Sequence, residues 1–142
     1  MENMKKTITL IICLILMLSL TGCARRKHCS LLYHATKIST VDIVEIGSIS
    51  KEEIEIRNVF IVENSSELID DINKLKGMST ITPPDIEENS TAIRITYLNG
   101  ECELISDFGH LALTEERNYW HSYKICFHDT EEFNDLINKY MP

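Results

Sequence analysis

The dipeptide Asn99-Gly100 constrains the fold more than any other stretch of this chain. It separates two strand-like runs, residues 92–98 and 101–108. Both central residues accept positive φ, so a two-residue type I′ hairpin is the expected connection. With that loop Leu98 faces Glu101, Tyr97 faces Cys102 and Ile95 faces Leu104. Side chains alternate along a strand, so one face then carries Ile93, Ile95, Tyr97, Cys102, Leu104 and Phe108. The other carries Arg94, Thr96, Glu103, Ile105 and Asp107. The first set is the expected core side.

The flanking chain supplies more of the same layer. Residues 41–49 are rich in β-branched side chains, and Ile54, Ile56, Phe60 and Val62 alternate with Glu55 and Arg57, which predicts a second hairpin. Asn64 followed by Glu67 has capping-box spacing, and Leu68, Ile69, Ile72 and Leu75 recur at helical spacing until Gly77. Residues 78–90, with Pro83 and Pro84, continue neither pattern and read as a linker. After Gly109 a short strand through Leu111 and Leu113 and a last strand over 119–127 are expected. Asp129 and Glu132 repeat the capping-box spacing, and Phe133, Leu136, Ile137, Tyr140 and Met141 make the clearest helical face in the chain. The order ββαβββα predicts a two-layer α+β domain over residues 40–142, with an antiparallel sheet of about five strands and both helices on one face.

The N-terminus has a different character. Lys5 and Lys6 precede a thirteen-residue apolar run from Ile8 to Leu20, broken only by Thr9, Cys13 and Ser19. A membrane-spanning helix needs about 20 apolar residues, so this run reads as the hydrophobic part of an export signal. Leu20, Thr21, Gly22 and Cys23 follow directly. This tetrapeptide resembles the lipobox of bacterial lipoprotein precursors. The resemblance implies a signal peptide over residues 1–22, cleavage before Cys23 and a diacylglycerol thioether on its sulfur. It places the mature chain on the extracytoplasmic face of the cell membrane, held by palmitate-type acyl chains. Residues 23–39 then form a lipidated basic stalk, whose Arg25, Arg26 and Lys27 add attraction of about 1 kcal/mol each to anionic headgroups. The element order of the folded part is similar to that of small single-domain lipoproteins of Gram-positive bacteria, and distantly to the curved-sheet TATA-binding-protein-like architecture. Neither likeness implies an activity.

Charge and cysteine usage narrow the partners. From Ile38 onward 8 Lys plus Arg stand against 21 Asp plus Glu, whereas residues 24–37 carry only the four cations Arg25, Arg26, Lys27 and Lys37. A domain this acidic repels nucleic acid. With Cys13 removed and Cys23 lipidated, Cys29, Cys102 and Cys126 are left, an odd number. The expected strands put Cys102 and Cys126 on opposite faces, against a disulfide between them.

No phosphate-cradling loop, nucleophile elbow, zincin motif or Cys-x-x-Cys occurs, and the chain reads as a non-enzyme with no cofactor beyond its lipid. Two binding readings follow. The sheet face away from the helices is expected to present Trp120, Arg94, Ile105, Ser122 and Lys124, and Trp and Arg are enriched at binding hot spots. That face, or residues 118–124, would hold an envelope or surface protein. The alternative is a solute- or metal-binding accessory lipoprotein, with His110, His121 and His128 the candidate ligands and Glu115 or Glu116 an oxygen donor.

Overall fold

The computed structural model describes residues 27–28, 31–50, 52–79, 87–107, 109–124 and 126–141. The export signal, Cys23, Arg25, Arg26, Cys29, Pro83, Pro84, Phe108 and Ile125 lie outside the described residues. So do the side chains of Lys27, Tyr123, Lys124, Cys126, Phe127 and His128.

Within them the chain runs β1 Lys27–His28, β2 Ile38–Ile49, β3 Ile54–Ile61, α1 Ser65–Lys74, β4 Lys76–Ser79, β5 Thr91–Tyr97, β6 Cys102–Ser106, β7 Gly109–Thr114, β8 Arg117–Lys124, β9 Cys126–His128 and α2 Thr130–Tyr140. A 3-10 turn, Ala35–Lys37, leads into β2. Six strands form one antiparallel sheet in the order β3-β2-β5-β6-β7-β8, and the short strands form a second in the order β1-β4-β9. The α+β class is as expected. The strand count and the order ββαβββα are not: the chain has a six-stranded sheet and a small second one. None of the described helices is long and apolar enough to cross a membrane.

Each helix forms where its apolar spacing predicts. α1 buries Leu68, Ile69 and Ile72, and α2 buries Phe133, Leu136 and Ile137. All six join one cluster with Val41, Ile43, Ile93, Ile95 and Ile105 of the sheet, so both helices cover the same face. Burying each such side chain contributes about 1.5–3 kcal/mol. Asp129 caps α2, accepting from the N–H groups of Glu131 at 3.0 Å and Glu132 at 3.2 Å. Asn64 caps α1 without a side-chain bond to the backbone and instead donates to the Glu67 carboxylate at 2.8 Å. α1 ends at Leu75, and Gly77, expected to cap it, lies inside β4 opposite Lys27 and His128. The two helices are also bracketed by charge. Lys139 Nζ reaches Glu67 at 2.8 Å and Asp71 at 2.7 Å, and the Tyr140 hydroxyl donates to Asp71 at 2.9 Å. Lys139, with Lys74 and Tyr140, holds the Asp71 carboxyl well below the usual carboxylate range.

The central hairpin departs from expectation by one residue. Tyr97 N–H donates to Glu101 O at 2.9 Å, Gly100 N–H donates to Tyr97 O at 3.0 Å, and Gly100 has φ +86°. These bonds close a three-residue loop, Leu98-Asn99-Gly100, with the glycine in the left-handed region. The pairs are therefore Thr96 with Cys102, Ile95 with Glu103, Arg94 with Leu104 and Ile93 with Ile105. A one-residue slip exchanges the two faces of a strand. Glu103 and Ile105 consequently point to the helix side, and Cys102 and Leu104 to the other.

That other face is packed as well. Val44, Ile46, Ile54, Ala92, Leu104 and Leu111 form a second buried cluster, with Ile49, Ile56 and Trp120 against it. Strands β3 and β8, the two edges of the sheet, both contribute side chains. No atom lies within 4 Å of where a Cβ at Gly100 would sit, so replacing it tests the backbone alone. Gly100→Ala is expected to lower the unfolding free energy by about 1 kcal/mol in urea titration, and Gly100→Asn by less, because Asn tolerates positive φ. Unchanged stability of the Ala variant would show that the loop does not adopt this conformation.

Candidate functional site

The slip puts a carboxylate in the core, and the surrounding chain is arranged around it. Glu103 is 0 % exposed. Its Oε2 accepts from the Tyr97 hydroxyl at 2.7 Å and from Leu32 N–H at 3.0 Å, and its Oε1 meets His110 Nδ1 at 2.8 Å. An acidic oxygen facing the ring makes Nδ1 the protonated nitrogen of His110 in this pair. Burial, then the Glu103 charge, pushes the Tyr97 hydroxyl far above its ordinary range. Tyr33 packs edge-on against Tyr97 with ring centroids 5.0 Å apart. Residues 31–37, expected as part of a stalk, are thus strapped onto the sheet. Leu31 and Leu32 also pack against the helix-side core.

Beyond the strap lies a cleft of about 640 Å³, lined by segment 32–33, the β5–β6 loop, the β7–β8 turn and β8. Glu101 contributes to its lining and is 7 % exposed. It accepts from Glu115 N–H at 2.8 Å and from the Asn99 side-chain amide at 3.0 Å. The Tyr33 hydroxyl bonds to it too, and this bond, with those from Glu115 and Asn99, holds the Glu101 carboxyl below the usual range. Glu115 and Glu116 add exposed carboxylates, and Arg117, His121 and Ser122 complete the lining. Three carboxylates against one arginine favour a cationic or hydrogen-bond-donating ligand. The volume falls within the roughly 300–1,000 Å³ of small-molecule sites.

Of the residues expected to share an open face, Ile105 has changed sides. Cross-strand pairs link Arg94 to Leu104, Leu104 to Leu111 and Leu111 to Ser122, so Arg94 and Ser122 keep to one face, the face on which Trp120 packs. Ile105 is fully buried under the helices, a direct result of the slipped register. Trp120 is half-buried against the Leu104 cluster. Arg94 is paired with Asp42 across β2 and β5 at 2.8 Å. Ser122 is exposed and lines the cleft, and the side chain of Lys124 is outside the described residues. Of the candidate metal ligands, the side chains of His110 and His121 are described and that of His128 is not. His110 is bound to Glu103, His121 contacts the Tyr119 ring, and the His128 backbone pairs in the other sheet. Among the described residues no group of three or more His, Cys, Asp and Glu could hold a metal ion. Cys102 is a free thiol, and Cys126 belongs to β9 of the small sheet.

Sequence reasoning did not single out Tyr33, Asn99, Glu101 and Arg117 as cleft residues, or Glu103 as a core residue. The available signal was Glu103 itself, a carboxylate flanked by Cys102, Leu104 and Ile105. It needs buried donors only if the hairpin loop has three residues. The chain matches no known protein-family profile, no curated protein sequence and no solved structure.

Tyr97→Phe removes one donor from a buried carboxylate while preserving the ring. It should lower the unfolding free energy by about 1.5–3 kcal/mol and speed amide exchange at Leu32, whose N–H shares the same oxygen. Slow exchange at Leu32 in a destabilised variant would show that the strap does not run through Glu103.

Proposed function

We propose that this chain is a membrane-anchored extracytoplasmic lipoprotein whose domain is a non-enzymatic binding module for an envelope or surface protein. The anchor rests on Leu20-Thr21-Gly22-Cys23 after the apolar run. Two or three acyl chains at Cys23 hold a chain on a bilayer, where one gives only marginal binding.

The observation that carries the binding reading is the cleft beside Tyr33, about 640 Å³ in volume, with the Glu101 carboxylate fixed in its lining. His121 and Ser122 bring the expected 118–124 region into the same site. Glu115 and Glu116 form a negative border that suits a partner presenting a lysine or arginine. A small cationic solute is the second reading, favoured by the volume alone. Metal binding by His110, His121 and His128 has no support of this kind, since no group of three or more His, Cys, Asp and Glu among the described residues could hold a metal ion.

Trp120→Ala is a poor probe of this site. Removing a packed aromatic ring costs roughly 3–5 kcal/mol when it is fully buried, so lost capture would report unfolding as readily as a lost contact. A charge reversal on the exposed β7–β8 turn is cleaner. With the full-length lipidated chain as bait in solubilised envelope, the wild type should retain a salt-sensitive partner and the Glu115→Lys/Glu116→Lys variant should lose it. Equal retention by the two baits would place the interface elsewhere. Separately, Cys23→Ala should abolish incorporation of labelled palmitate, and labelling that persists would exclude Cys23 as the anchor.

A further inference from the structure

Asn99 is the only asparagine of the chain that precedes a glycine; Asn64 and Asn89 precede serine, and the others precede larger residues. An asparagine in that position reacts with the backbone of its own neighbour. The Gly100 nitrogen forms a bond to Asn99 Cγ, the side-chain nitrogen leaves with the Gly100 amide proton as ammonia, and a succinimide ring remains. Solvent water then opens the ring at either of its carbonyls. The product is an aspartyl side chain or an isoaspartyl link, in which the backbone runs through Cβ. Nothing is oxidised or reduced. Glycine favours the attack because no Cβ stands beside the nitrogen.

The hairpin loop presents these groups in the open. Leu98, Asn99 and Gly100 are all exposed, and no atom lies within 4 Å of where a Cβ at Gly100 would sit. Glu101 N–H donates to Asn99 Oδ1 at 3.2 Å, the oxygen on which negative charge develops as the nitrogen adds. Two bonds oppose the reaction. Gly100 N–H is held by Tyr97 O at 3.0 Å, and the Asn99 amide nitrogen by Glu101 Oε2 at 3.0 Å. Both lie at an exposed loop tip, where such bonds open locally without unfolding of the domain. Asn64 and Asn89 are exposed as well, yet each is followed by a residue with a Cβ, and their side chains are bonded to Glu67 and Arg57.

The product alters the cleft. Glu115 N–H, the Asn99 amide and the Tyr33 hydroxyl, which hold the Glu101 carboxylate, are neutral donors. In the aspartyl product a carboxylate oxygen replaces the amide nitrogen that stood 3.0 Å from Glu101 Oε2. Two carboxylates so close, one of them only 7 % exposed, repel. In the isoaspartyl product an extra backbone atom lengthens the loop that the Tyr97 and Gly100 N–H groups close. Either change pulls Glu101 away from Glu115 N–H, the bond that joins the β5–β6 loop to the β7–β8 turn.

We propose that Asn99 is a self-modifying site, which deamidates in the folded protein and leaves a carboxylate that releases Glu101 from the β7–β8 turn. The change is irreversible and falls in the lining of the cleft. The reaction needs no partner, and only its meaning for recognition rests on the binding reading above.

Ageing the full-length lipidated chain in mildly alkaline buffer, with and without urea, tests the chemistry by peptide mass spectrometry. In the folded sample the Asn99 peptide is expected to exchange its amide for an acid and to separate into aspartyl and isoaspartyl forms, while Asn64 and Asn89 stay amides. Retention of the Asn99 amide in buffer, over a period in which the urea-unfolded chain converts, overturns the proposal, since the hairpin bonds then protect the site. Equal conversion of Asn64 and Asn89 in buffer overturns it too, because the loop would then contribute nothing. Amide exchange tests the release of Glu101. Asn99→Asp should speed exchange of Glu115 N–H severalfold, and Asn99→Ser, which removes the amide without adding charge, should speed it less. Unchanged exchange at Glu115 in Asn99→Asp overturns the release, whether or not a partner has been captured.

Discussion

The Glu103 carboxylate is the constraint on which most of this structure depends. Taking a carboxylate out of water costs several kcal/mol unless donors replace the solvent. Here the donors come from three separate parts of the chain: Leu32 N–H before β2, the Tyr97 hydroxyl on β5 and His110 on β7. Satisfying one side chain therefore fixes the pairing of β5, β6 and β7 and the attachment of the segment that leads in from the N-terminus. An apolar residue at position 103 would deprive the Tyr97 hydroxyl and His110 Nδ1 of this buried acceptor. It would not hold residues 31–37 in place, because the backbone N–H of Leu32 would lose its acceptor.

Much of the fold was legible because its helices repeat apolar residues at a period with few alternatives. Leu68, Ile69, Ile72, Phe133, Leu136 and Ile137 are buried as the spacing predicts. The sheet was less legible, since a strand read with the wrong register keeps the same alternation and only changes sides. Asn99-Gly100 is compatible with both a two-residue and a three-residue loop. The deciding fact, a Tyr97 N–H bonded to Glu101 O, is a tertiary outcome that dipeptide preferences do not contain. From that single residue follow the inward Glu103 and Ile105, the outward Cys102 and Leu104, and so the loss of Ile105 from the expected open face.

The small sheet was invisible for a different reason. β1 has two residues, β4 four and β9 three, too short for any period to register. They are strands only because they find one another: Gly77 at the centre pairs with Lys27 on one side and His128 on the other. The same pairing draws Lys27 and His28 of the expected basic stalk into the fold. The candidate cleft was hidden likewise, since Tyr33, the Asn99–Glu101 loop and Arg117 are separated in sequence and meet only where three connections converge.

Both faces of the main sheet are occupied, and this decides where recognition can take place. The helices seal one face through the Ile43 and Ile95 cluster. The Leu104 cluster fills the other, with Trp120 spent on packing and Arg94 on Asp42. A flat sheet-face interface of the kind expected from the sequence would require this second cluster to open, at a cost comparable to the loss of core packing. The ends of the strands carry no such cost. There the backbone turns, side chains from several connections converge, and carboxylates such as Glu101 are held by N–H and hydroxyl donors without belonging to a core. In a domain this small, with its layers closed, chemistry that needs access to solvent is displaced to the end where the β5–β6 and β7–β8 connections meet.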